Sequence, residues 1–226
     1  MILLLETATE ICSVAIANNG ILLAQQQAEE KYAHTEQLTI LIQAVTQSAA
    51  IQLTDLEAVA ISQGPGSYTA LRVGTSVAKG LCYALDIPLI AIETLASLAD
   101  AAHRLVGNEI ALYCPMIDAR RMEVYASLYD ANGSIVQAQQ AMVIDENSFA
   151  DYFNNGQKVI FCGNGAVKCA SVLTHPLAQF EDVICDAANL LRLATEAYEK
   201  QQFEDVAYFV PIYGKAPNIT VSKKKL

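Results

Sequence analysis

Two acids end apolar runs at matching places in the chain: Glu6 closes ILLLE and Asp118 closes LYCPMID. Carboxylates at the ends of buried strands could face each other across a cleft, bind magnesium with a nucleotide, or position a water. The turns that follow, ETAT and DARR, lack glycine two residues after the acid. In the second turn Arg120 and Arg121 read as an ion-pair cluster with Asp118 and Glu123, with an anion site as the alternative. A third feature is the glycine-rich stretch SQGPGSYTALRVG, Ser62 to Gly74. Backbone amides at a helix start attract anions, yet the P-loop spacing Gly-x4-Gly-Lys-Ser/Thr is absent after both Gly64 and Gly66. The other reading is a tight turn, in which Pro65 presets its own φ, Gly66 takes a positive φ, and Ser67 or Thr69 caps the helix.

The remaining reactive residue types offer less. One turn after His34 stands Leu38 rather than a second histidine, so no helical metal pair forms, and His103 and His175 read as packing or surface residues. The six cysteines include no Cys-x-x-Cys pair and read as reduced core thiols. Neither a Gly-x-Ser-x-Gly elbow nor a His-Glu-x-x-His helix is present. No catalytic residue, metal site or cofactor is expected.

The elements that must hold these residues are legible from periodicity. Three strands open the chain, ILLLE, CSVAIA and a segment after the Asn19-Gly20 hairpin turn. HTEQLTILIQAVTQSAA then puts Leu38, Leu41, Ile42, Val45 and Ala49 on one helical face. AVAIS, TALRVGTSVAKGLCYAL, PLIAIE and TLASLADAAHRLV complete the order β-β-β-α-β-α-β-α. On the second helix Arg72, Thr75, Ser76, Lys79 and Tyr83 form a polar stripe among small and apolar residues. Gly74 and Gly80 inside that helix each cost about 1 kcal/mol relative to alanine, so close approach by the chain's own sheet or by another helix should compensate.

IALYCPMIDARRMEVYASLYDANGSIVQAQQ then repeats the opening, and Val59, Gly64 and Gly66 correspond to Val159, Gly163 and Gly165. A period of roughly 100 residues is too long for a solenoid and marks a duplicated domain. Two βββαβαβα halves, each with an acid ending its first strand, are the plan of the α/β actin-like ATPase class (ASKHA, an RNase H-like duplication). The first half is expected over residues 1–105 and a second, degenerate half over 106–226, with the helix in DAANLLRLATEAYEKQQ packing back on the first.

With 226 residues, 53% of them apolar and 17% charged, the chain can bury a core without staples. A net charge of −10 opposes a phosphate backbone, and the one basic cluster, SKKKL at the end, reads as a solvated tail. MILLLETATE has no basic n-region and no long apolar region, and no run reaches the ~18 apolar residues of a membrane span, so a cytoplasmic protein without a membrane partner is expected.

ILLLETATEICSVAI, HTEQL, GPGSYTALRVGTSVAKGL, PLIAIETL and IDARRMEVY, in that order and spacing over residues 1–130, closely resemble the bacterial TsaB (YeaZ) family. PIYGKAPN sits where that family commonly ends with a Pro-x-Tyr segment. The resemblance implies a non-catalytic paralogue of TsaD, working in the formation of N6-threonylcarbamoyladenosine (t6A) at position 37 of tRNAs that read ANN codons. It implies a TsaD-like catalytic subunit as partner, a TsaE-like ATPase joining the assembly, and contact with tRNA only indirectly. The implied partner surface is His34, Glu36, Gln37, Leu41 and Val45 on one helix with Arg72, Val73, Ser76, Val77, Lys79 and Gly80 on the next. Those faces could also form a homodimer when the partner is absent. A degenerate nucleotide cleft would comprise Glu6, Thr7, Gly64, Gly66 and Asp118, with Glu6 standing where the family usually has Asp. The competing readings are a small-molecule kinase or ATPase using Glu6 and Asp118, and a metallopeptidase.

Overall fold

The computed structural model describes residues 1–107 and 110–215; the SKKKL tail and the last residues of PIYGKAPN lie outside the described residues. The first half runs β1 (Ile2–Glu6), β2 (Ser13–Asn18), β3 (Ile21–Gln27), α1 (His34–Ser48), β4 (Ala58–Gly64), α2 (Tyr68–Leu85), β5 (Leu89–Glu93) and α3 (Thr94–Val106), in the expected order. The second runs β6 (Leu112–Asp118), β7 (Glu123–Tyr129), β8 (Ile135–Val143), α4 (Ala150–Asn154), β9 (Val159–Cys162), α5 (Ala166–Cys169), β10 (Ala178–Phe180) and α6 (Leu191–Glu199). The first sheet has the order β3-β2-β1-β4-β5 and the second β8-β7-β6-β9-β10, so β6 repeats the place of β1. Each central strand pairs antiparallel on one side and parallel on the other.

Local chemistry accounts for most of these elements. Asn19 and Gly20 both take positive φ, 48° and 74°, which matches the two-residue hairpin turn between β2 and β3. On α1, Leu38, Leu41, Ile42 and Val45 turn inward onto Leu3, Leu5, Val14 and Ile16 of the sheet. The helical pattern after the second Gly-x-Gly is cut short: α5 has 4 residues before the chain turns to bury Leu173 and meets Pro176. The segment from Asp186 begins as a single tight turn, Ala187–Leu190, in which Ala187 N donates to Ser13 Oγ and Ala188 N to the Asp186 carboxylate, and continues as α6. All six cysteines are free and buried.

The helices are exchanged between the halves. Leu190, Ala194 and Ala197 pack on Leu4, Ala15, Ala17 and Ala60, so α6 covers the face of the first sheet opposite α1 and α2. In return Leu95, Leu98 and Ala102 of α3 pack on Tyr113, Ile117 and Ile160 of the second sheet. A cut at residue 105 therefore leaves each sheet without one of its helical layers.

The two glycines of α2 have different surroundings. A Cβ on Gly74 would land on Thr7 Oγ1 and within 3.1 Å of Ile61 Cδ1, whereas one on Gly80 would meet nothing within 4 Å. Gly80→Ala should raise stability by about 1 kcal/mol through helix propensity, and Gly74→Ala should lower it by about 1–3 kcal/mol through overpacking. Urea unfolding of both variants checks this; shifts of the same sign would contradict the close approach at Gly74.

Candidate functional site

The candidate site is built around the β1–β2 turn. Glu6 is fully buried, and its Oε1 accepts from Ala8 N at 2.7 Å and from Ser62 Oγ at 2.7 Å. Burial pushes its carboxyl up to about 7, against the opposing pull of those hydrogen bonds. Glu6 Oε2, Thr7 Oγ1 and Thr75 Oγ1 are buried with no partner within the described residues. The acid of the expected degenerate cleft thus sits inside the protein.

Its counterpart is neutralised differently. Asp118 is partly exposed, forms an ion pair with Lys168, and accepts from Arg120 N at 2.9 Å. Lys168 also donates to the carbonyl oxygens of Arg121, at 2.6 Å, and Glu123, at 2.7 Å. The expected cluster of Arg120 and Arg121 with Asp118 and Glu123 is corrected: the acids pair with Lys168 and Lys215. Both arginines take left-handed backbone, φ 73° and 53°, and are exposed. Asn164 ties the halves together, donating to Glu10 Oε2 at 2.8 Å and accepting from Asp118 N at 3.0 Å.

The Gly-x-Gly loops brace these turns. The positive φ belongs to Gly64, at 107°, and not to Gly66 as expected. Gly66 is glycine for another reason, since a Cβ there would land on the Ala8 carbonyl oxygen. Ser67 N donates to Ala8 O at 2.7 Å, and neither Ser67 nor Thr69 caps α2 with its side chain, because the start of the helix is held by the neighbouring turn. The second loop repeats the device: Gly163 has φ 88°, and Gly165 lies against Ile117 and Asp118 with its N–H on Met116 O at 2.9 Å. The amide best placed to bind an anion is already used on the chain's own carbonyl.

The helix residues divide into inner and outer sets. His34 is buried and donates from Nε2 to Ile11 O at 3.1 Å; burial holds its pKa below the usual value. Leu41 and Val45 belong to the core under α1. The side chains of these three lie inside the chain, under α1, and the open part of the expected surface falls to their neighbours. Glu36 is exposed and Gln37 half-buried, beside exposed Thr39 and Ile40. On α2, Arg72, Ser76 and Gly80 are exposed with Val73 and Val77 half-buried between them, while Thr75 is buried and breaks the expected polar stripe.

Lys79 is engaged by its own chain, donating to Ala207 O at 3.0 Å and Phe209 O at 3.1 Å. Two residues here escape sequence reasoning. The Arg72 guanidinium lies 4.3 Å from the Tyr68 ring centroid and donates from Nε to Tyr213 Oη at 3.0 Å. Tyr68 could have been found from its spacing of one turn before Arg72; Tyr213 is the tyrosine of the Pro-x-Tyr segment, but nothing local announces its bond to Arg72. His103 packs edge-on against Tyr113, and His175 stacks on Phe153. Among the described residues no group of three or more His, Cys, Asp or Glu side chains converges, and no described helix is long and apolar enough to cross a membrane.

Two sheets of one topology with exchanged helices define the actin-like ATPase (ASKHA) fold, and component A of the (R)-2-hydroxyglutaryl-CoA dehydratase of Acidaminococcus fermentans shares that fold at 10% identity, with a TM-score of 0.53 over 88% of this chain and 98% of that chain. Residues 22–218 match the family described as TsaD: tRNA N6-adenosine threonylcarbamoyltransferase. Over 134 residues the chain is 38% identical to the tRNA threonylcarbamoyladenosine biosynthesis protein TsaB of Escherichia coli (strain K12), covering 58% of this chain and 57% of that protein. A Pseudomonas aeruginosa structure, described as an uncharacterized protein with similarity to peptidase YEAZ, has a TM-score of 0.78 at 27% identity, over 95% of this chain and 99% of that chain. The chain belongs to the TsaD family and, within it, to the TsaB/YeaZ branch. It spans about half the length of the curated relatives it matches, 57% in the Escherichia coli protein.

The buried acid gives a signed pH prediction. The folded chain holds the Glu6 proton up to about 7, while the unfolded chain loses it near the ordinary 4.5. Stability conferred by the protonated form is therefore full below pH 4.5 and falls as pH rises to about 7, by about 3 kcal/mol in all. Glu6→Gln should remove that slope, leaving the variant more stable than the native chain at pH 8. Urea denaturation at pH 5 and pH 8 measures it; equal pH dependence in both proteins would contradict the buried carboxyl.

Proposed function

We propose that the chain is a non-catalytic scaffold and activator of the complex that transfers threonylcarbamoyl to N6 of adenosine 37 in ANN-decoding tRNAs. It acts by binding a TsaD-like catalytic subunit through the outer faces of α1 and α2. The observation that carries this reading is Gly80: a glycine inside an 18-residue helix, more than a turn from its end, exposed, with nothing within 4 Å of where a Cβ would stand. Its cost in helix propensity has no compensation inside this chain. A partner helix crossing there would supply it, because helices close to 8 Å only where the side chains between them are small. Val73, Val77, Ser76 and Arg72 lie on the same helix within about two turns of that point, and Glu36 and Gln37 belong to the proposed face on α1.

A TsaE-like ATPase joins the same assembly, and the chain works in the cytoplasm. In the absence of the catalytic subunit the helix faces pair with a second copy. With a net charge of −10, this chain leaves tRNA binding to the other subunits. The kinase or ATPase reading is disfavoured by Glu6, sealed under Ser62 and Ala8, and by Asp118, held by Lys168.

Gly80→Arg tests the interface with little risk to the fold, since arginine is the better helix former at an open position. The variant should melt no lower than the native chain and bind the catalytic subunit at least about thirtyfold more weakly, a loss of about 2 kcal/mol. t6A output should fall in parallel. Native affinity measured by calorimetry would reject the α2 face.

A further inference from the structure

The segment YFVPIY, Tyr208 to Tyr213, leaves a turn in which Tyr208 N and Phe209 N both donate to Asp205 O, and runs beside α2 as an irregular strap with two apolar sides. Phe209 and Pro211 point inward and are buried, Phe209 in the core shared with α1 and α2. Tyr208, Val210 and Ile212 alternate with them and point outward, 82%, 70% and 43% exposed. A strap serving only to close its own core would carry polar residues on the outer side, and a row of uncovered apolar side chains is the mark of a surface that another molecule covers.

The strap is held firmly. Glu204 N donates to Leu89 O at 2.8 Å, and Ile212 N donates to Gln63 O at 2.7 Å. Gly64 is cut away for it: a Cβ there would land on the Ile212 carbonyl oxygen. Lys79 pins the strap by its donations to Ala207 and Phe209, and Arg72 holds Tyr213, whose ring lies 4.6 Å from Tyr68. Both basic residues belong to α2, so the outward row runs beside the helix face that carries Ser76 and Gly80. The order of the strap is thus set before any partner arrives, which spares the complex the entropy of fixing it.

The geometry points to the strap as part of the docking surface for the catalytic subunit, with Tyr208, Val210 and Ile212 forming an apolar shelf alongside α2. This rests on the α2 reading above and extends it to a second element. Exposed apolar residues also occur at Ile21 and Leu22 on β3, Ile135 and Val143 on β8, Leu105 on α3, Val167 on α5 and Tyr83 on α2 itself, so it is the bonding of the strap to α2, and not exposure alone, that singles out its outward row. Lys79 becomes a positioning residue that shapes the surface through the strap.

The test compares the full-length native chain with the double variant Tyr208→Lys/Val210→Lys, with Gly80→Arg, and with Ile135→Lys, at the far end of β8 opposite Tyr129, as a surface control. Affinity for the purified catalytic subunit, melting temperature and self-association are measured for each. The expected result is at least a tenfold loss of affinity for the strap variant, with its melting temperature unchanged and the Ile135→Lys variant binding as the native chain does. If the strap variant keeps native affinity while Gly80→Arg loses it, the shelf is overturned and the α2 reading survives. If both keep native affinity, both readings fall. If the strap variant loses only self-association, a second copy covers the shelf and the proposal is overturned. Tyr208→Phe should retain affinity, because the shelf is apolar; its loss would also count against the proposal.

Discussion

The arrangement of the candidate site follows from how closely the backbone of α2 and its leading loop lies against the turn after Glu6. Gly66 rests on the Ala8 carbonyl and Gly74 on Thr7, with no room for a methyl group at either point. That contact is possible only with glycine at both positions, and it fixes the height of α2 over the sheet. It also shuts the space in which the Glu6 carboxylate would meet solvent. A carboxyl sealed this way is held by Ser62 and Ala8 and keeps its proton well above the ordinary range. Close packing of two backbones, a stability device, therefore sets the chemistry as well.

The second half reaches a similar end by charge. Gly165 packs under the turn after β6 as Gly66 packs under the turn after β1, but Asp118 stays partly exposed and is neutralised by Lys168. Asn164 then ties the two turns through Glu10 and Asp118 N. With both acids engaged, the distinctive open features of the molecule lie outside the cleft, on α2 and the strap. Gly80 and Val77 on the helix, and Tyr208 and Val210 beside it, carry the features that solvent alone does not explain.

The elements were legible in the sequence because their signals are local. The Asn19-Gly20 turn, the face of Leu38, Leu41, Ile42 and Val45, and the repeat of Gly64 and Gly66 at Gly163 and Gly165 each lie within a few residues of what they predict. The anomaly of two glycines in one helix was legible too, but periodicity could not tell that Gly74 answers to Thr7 and Gly80 to nothing in the chain. Residues from distant segments decided what was missed. His34 is turned inward by Ile11, Lys168 reaches Asp118 across 50 positions, and Lys79 is taken by the strap. The crossing of α3 to the second sheet left no local trace either, since an amphipathic helix reads the same whichever sheet it covers; only the return of α6 to the first half was expected.

The central claim is that this chain enables transfer without performing it. The most direct measurement is t6A formation from purified TsaD-like subunit, TsaE-like ATPase, the adenylate-forming enzyme, tRNA, threonine, bicarbonate and ATP, with this chain present or omitted. The account predicts product only when the chain is present, and no turnover of ATP by the chain alone. Equal product without it, or ATP hydrolysis by the isolated chain that is lost in Glu6→Ala, would contradict the account.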